Sequence, residues 1–129
     1  MATRPEQLYE DDFYAWTRDQ ARALRRLATS RPNLALDFPH LIEEAADLGT
    51  SRRDAVRSRL RRIIERCLKL EYAPARDPRA GWHEIIIQVR TEIEDKISPA
   101  ILRGLPRRLP RLWKQARRDT AAAFRLHGE

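Results

Sequence analysis

Three groups of side chains in this 129-residue sequence have the types and spacing that chemistry requires. The densest acidic group is Glu43, Glu44 and Asp47. On a helix, Glu43 and Asp47 lie four apart and share a face, while Glu44 points about 100° away. Carboxylates inside a helical bundle hold a pair of metal ions when two helices also supply Glu-x-x-His. The residues three before His40, His83 and His127 are Asp37, Ala80 and Phe124, so that motif is absent. The expectation is a buried polar cluster that pairs with arginines of another helix or favours a helix start against the macrodipole. His83 and Glu84 follow Trp82, but a catalytic histidine needs an orienting partner and a nucleophile, and the sequence offers neither. The single cysteine, Cys67, excludes an internal disulfide and fits a reducing cytosol. It falls on the apolar side of a helical pattern, where a buried and inert thiol is expected. No catalytic residue, metal site or cofactor is therefore expected, and the chain does not read as an enzyme.

Arginine gives the stronger lead. The formal net charge is +7, and only Lys69, Lys96 and Lys114 among the basic residues are not arginine. The charge is unevenly spread. Residues 1–50 carry six basic and nine acidic groups, residues 51–76 nine and three, residues 77–99 three and five, and residues 100–129 eight and two. Such alternation suits helices that pair basic against acidic edges. Arg59, Arg62 and Arg66 approach a row on one helix, and Arg107, Arg111, Lys114 and Arg118 repeat at three or four on another. If both rows face outward on one side, contact with a phosphate backbone becomes possible. No helix-turn-helix spacing, zinc knuckle or single-strand-binding motif accompanies them.

These residues must be placed by helices. Leu41, Ala45, Leu48, Val56, Leu60, Ile63, Cys67 and Leu70 recur in steps of three or four, with Arg52 as a polar interruption and the phase kept across Gly49. One helix from after Asp37 to Tyr72 is expected, about 50 Å long at 1.5 Å per residue and open to a bend at Gly49; the alternative is a break there, with a C-cap at Gly49 and a fresh N-cap at Ser51. Before it, Asp11 and Asp12 can cap a helix of about 18 residues, whose stripe is Phe13, Trp16, Ala23, Leu24 and Leu27. Arg31-Pro32-Asn33 ends it. Pro74 and Pro78 bracket a connector. A third helix runs from about Trp82 to Ile97, with Trp82, Ile85, Ile86, Val89, Ile93 and Ile97 as its buried stripe. Ser98-Pro99 opens a further helix, Ser as cap and Pro as first residue. Pro106 and Pro110 are expected to divide the C-terminal stretch into a short helix at 99–104 and a final one over 107–126.

The ordered set YEDDFYAWTRDQARALR, LIEEAADLG, RLRRIIERCLKLEYAP, a Trp before an Ile-rich helix, and Ser-Pro before Ala-Ile-Leu resembles DUF29, a bacterial domain of unknown function. The best-marked positions are Tyr9, Asp12, Phe13, Trp16, Leu41-Ile42-Glu43-Glu44, Leu48-Gly49, Leu68-Lys69, Pro74, Trp82, Arg90 and Ser98-Pro99, so the resemblance spans about 9–124. It implies a four-helix bundle with no assigned activity. Family members often place a His one turn before the end of the long helix; here that position is Arg66.

At 42% hydrophobic and 35% charged residues, the chain reads as one ordered all-α domain over residues 1–129, a bundle of four to five helices with a long second helix. No window reaches the roughly 20 apolar residues of a membrane span, and the N-terminal MATRPEQLYEDDF has no apolar signal region, so a cytoplasmic location and no membrane partner are expected. The expected role is an interaction module that uses its Arg-rich surface toward a protein partner. It would self-associate through an apolar patch between Val56 and Leu70. Weak, sequence-independent nucleic-acid binding is the alternative.

Overall fold

A computed structural model describes residues 4–72 and 79–126. The Pro74–Pro78 connector and His127 lie outside the described residues. Five helices and no strand are found among those described: α1 (Pro5–Asp11), α2 (Phe13–Ser30), α3 (Phe38–Tyr72), α4 (Arg79–Lys96) and α5 (Pro99–Leu126). The fold is all-α, as expected, but the short α1 precedes the expected first helix, so the long helix is the third. At 35 residues, α3 is about 52 Å long and runs unbroken through Gly49.

The prolines of α5 do not divide it. Pro106 and Pro110 sit inside one helix of 28 residues. Each removes only one amide hydrogen, and both side chains are exposed and four apart. The freed carbonyls of Leu102 and Pro106 therefore belong to the solvent side, where water can satisfy them. On the inner side Leu112, Ala116 and Thr120 are buried at steps of four, and that packing holds the helix together across both prolines.

The helices form two compact units, one from Met1–Asp54 with Ser98–Leu102, the other from Ala55–Ile97 with Arg103–Glu129. In the first, α2 buries Tyr14, Thr17 and Ala21, and the expected stripe of Phe13, Trp16, Ala23, Leu24 and Leu27 is only half-buried beside them. The cause lies opposite, at Gly49. A Cβ built on Gly49 would overlap the Thr17 hydroxyl and stand 3.1 Å from Thr17 Cβ and 3.3 Å from the Tyr14 ring. The two helices thus approach more closely than side chains on both would allow, and glycine is the residue that permits it. The inner line of α3 runs through Phe38, Ile42, Ala45, Gly49 and Arg52, whereas Leu41 and Leu48 of the expected stripe are exposed.

Asp12 ties this unit together. Its amide donates to the Leu8 carbonyl at 2.8 Å, ending α1. Its Oδ1 accepts from the Ala15 amide at 3.0 Å, capping α2, and its Oδ2 accepts from the Ala100 amide at 2.7 Å, capping α5. The Ser98 hydroxyl accepts from the Ile101 amide at 3.3 Å. Since Pro99 has no amide hydrogen, the first turn of α5 leaves no donor unmet. One buried carboxylate therefore sits at two helix N-termini, where a negative charge is favoured.

In the second unit the core is Val56, Val89, Leu112 and Ala116, all buried. Val89 is the deepest of the expected α4 stripe, and Trp82, Ile85, Ile86, Ile93 and Ile97 are half-buried around it. Arg59 Nε donates to Glu92 Oε2 at 2.6 Å and ties α3 to α4, an instance of basic edge against acidic edge.

Candidate interaction surfaces

The two expected arginine rows have different fates. On α3, Arg59 is spent on Glu92 and on the Ala55 carbonyl, and only Arg62 is exposed. Arg66 is half-buried, with its Nε shielded and lacking a hydrogen-bond partner. The α3 row is therefore not an outward surface, since only Arg62 of its three members is exposed. On α5, by contrast, Arg107, Arg111, Lys114 and Arg118 are all exposed. Arg103 and Arg117 are exposed as well. Leu109 and Trp113 stand in solvent beside them, at 42% and 45% exposure. The outer face of α5 is thus cationic along one line and apolar along the next.

Beside this face, in the same unit, lies an open groove of about 580 Å³. Its apolar wall is Leu68 and Tyr72 from α3 with Ala121 and Phe124 from α5. Lys114, Arg117 and Arg118 form the rim. Thr120 also lines it, with a buried hydroxyl that has no hydrogen-bond partner. A carboxylate pair lies on the same two helices. Burial raises the Glu65 carboxyl above the usual value, and the negative charge of Asp119 raises it further, against Arg61 and Arg66.

Several expected site residues are placed differently. Glu43, Glu44 and Asp47 are exposed, so they form no buried polar cluster. Their turn of α3 faces outward because the inward positions there are Ile42, Ala45 and Gly49. No group of three or more His, Cys, Asp or Glu side chains suited to a metal ion occurs among the described residues. Cys67 is exposed, not buried. Its same-face neighbours Ile63 and Leu70 are half-buried, so the position lacks a covering side chain among the described residues. Between Val56 and Leu70 the apolar residues Val56, Leu60, Ile63 and Leu70 are buried or half-buried, and no exposed patch forms there for self-association. Sequence reasoning missed the groove. Leu68, Tyr72 and Phe124 belong to no stripe that the sequence marks, and only the juxtaposition of two helix ends makes them a wall.

No described helix is long and apolar enough to cross a membrane. The fold defines an all-helical protein with a cationic helix face. The family model "Domain of unknown function DUF29" matches residues 8–129, and the chain belongs to that family. An alpha-helical protein of unknown function from Rhodospirillum rubrum, known from its crystal structure, is similar at 30% identity and a TM-score of 0.86, over 93% of this chain and 76% of that one. Among proteins with curated descriptions, none matches.

Proposed function

We propose that this DUF29 protein is a non-enzymatic, cytoplasmic interaction module. It takes an acidic, amphipathic segment of a protein partner on α5. The observation that supports this most directly is an exposed row of cations, Arg107, Arg111, Lys114 and Arg118, whose last two members rim an apolar groove walled by Leu68, Tyr72 and Phe124. Charge alone suits any polyanion. The apolar wall favours a ligand with a hydrophobic side, as in helix-in-groove recognition. Nucleic acid is the second reading, favoured by the exposed Trp113 beside the arginines, since bases stack on such rings.

The test is fluorescence anisotropy with a labelled Glu/Leu amphipathic peptide and with labelled duplex and single-stranded DNA, each across a salt series. The module reading expects peptide binding that Phe124→Ala weakens about tenfold, as does Arg107→Gln with Arg111→Gln. DNA binding that falls steeply with salt and ignores Phe124→Ala would give first place to nucleic acid. No binding of either probe would sink both readings of α5.

A further inference from the structure

A second cationic site lies in the first unit, on residues that belong to no arginine row that the sequence suggests. Arg18, Arg22 and Arg25 are spaced four and three apart on α2 and so share one face, one turn after Tyr14. All three are exposed. They line a cleft of about 290 Å³ together with Tyr14, two alanines and Thr50 of α3. None of the lining residues is acidic. Like charges at this spacing work against the helix that carries them, so local stability does not account for the row.

The floor of the cleft is organised. Tyr14 is buried, and its hydroxyl accepts from Arg18 Nη1 at 2.7 Å. Burial alone would raise the phenol. Hydrogen bonds from Arg18 and Arg53, with their charges, outweigh it and hold the group below its usual value. Tyr14 thus acts as a positioning residue. It fixes the Arg18 guanidinium in the cleft, which Arg22, Arg25 and Thr50 also line.

We infer that this cleft binds the phosphate group of a small phosphorylated molecule. Guanidinium forks match phosphate oxygens in pairs, and a phosphate monoester near neutral pH carries close to two negative charges. The space is at the lower end of the roughly 300–1,000 Å³ of small-ligand sites, enough for a phosphate and a small organic body. The inference does not rest on the reading of α5, which concerns other residues.

Isothermal titration of the full chain with ribose 5-phosphate, inorganic phosphate and ribose tests it. Ribose 5-phosphate is expected to bind one per chain, more tightly as pH rises through the second phosphate ionisation near 6, and ribose not at all. Arg22→Gln with Arg25→Gln, both at exposed helical positions, is expected to weaken binding at least about tenfold. Arg107→Gln with Arg111→Gln is expected to leave it unchanged. Tighter binding of the sugar phosphate than of inorganic phosphate assigns an organic ligand; equal binding assigns free phosphate. Absence of phosphate binding, or equal weakening by the α5 variant, overturns the site. Helical circular dichroism of each variant keeps loss of fold distinct from loss of ligand.

Discussion

The two parts of α3 meet their surroundings in opposite ways. From Phe38 to Asp54, several inward-facing groups have a specific partner. Arg52 lies 4.2 Å over the Phe13 ring, Arg53 helps to hold the Tyr14 phenol below its usual value, and Gly49 gives way to Thr17. From Ala55 to Tyr72, the Nε groups of Arg61 and Arg66 are buried without a hydrogen bond, as is the hydroxyl of Thr120 on α5. Arg61 keeps Glu65 only as a loose ion pair at 3.6 Å. The difference separates the region that fixes geometry from the region with polar capacity left over. Unmet donors are costly in a settled core but suit a surface that a ligand completes.

Deleting hydrogen-bonding groups in each unit tests this contrast most severely. Asp12→Ala removes a buried carboxylate from two helix starts and is expected to cost about 3 kcal/mol, lowering Tm by about 12 °C. Thr120→Val removes a hydroxyl that bonds nothing while keeping its shape, and is expected to leave Tm unchanged or slightly higher. Scanning calorimetry decides; a comparable loss for both variants would erase the contrast.

A smaller effect is expected at the glycines. Gly49→Ala gains helix propensity but drives a methyl into the buried Thr17, so a net loss of about 1–2 kcal/mol is expected. Around Gly104 nothing stands within 4 Å of a new Cβ, and Gly104→Ala is expected to stabilise by about 0.5–1 kcal/mol. Urea midpoints of the two variants should move in opposite directions. A Gly49→Ala midpoint at or above that of the parent would show that Thr17 yields readily.

The smallest effect concerns Glu65 and Asp119. Because the folded protein holds Glu65 above its usual carboxyl range, it binds more protons than the unfolded chain between about 4.5 and that raised value. Stability therefore falls as pH rises through this window. Asp119→Asn removes the neighbouring charge and is expected to raise Tm by about 2 °C at pH 7, from roughly 0.5 kcal/mol, and to give no gain at pH 4. A gain that persists at pH 4 would mean that the asparagine acts through packing.

Much of the fold was legible in the residues. The span of α2, the start of α3 after Asp37, the Ser98-Pro99 opening of α5 and the α4 stripe around Val89 each come from periodicity and capping chemistry. The faces were less legible. Hydrophobicity put Leu41, Leu48 and Cys67 inside, while Gly49, Thr17 and Ala21 are the residues that lie deepest between α2 and α3. Small residues carry no hydropathy signal for close approach. The cleft was hidden for a related reason: residues 1–50 are acidic in sum, yet Arg18, Arg22 and Arg25 share one face of α2.

The sequence by itself determined an all-helical chain, the capping that starts α2 and α5, and membership of a family without an assigned activity, because these depend on local spacing and residue type. Only tertiary structure decided whether α5 survives its prolines, which arginines are spent on internal partners and which remain in solvent, and where two helices come close enough to require glycine. Those outcomes depend on what lies across from each residue, which one-dimensional spacing does not encode.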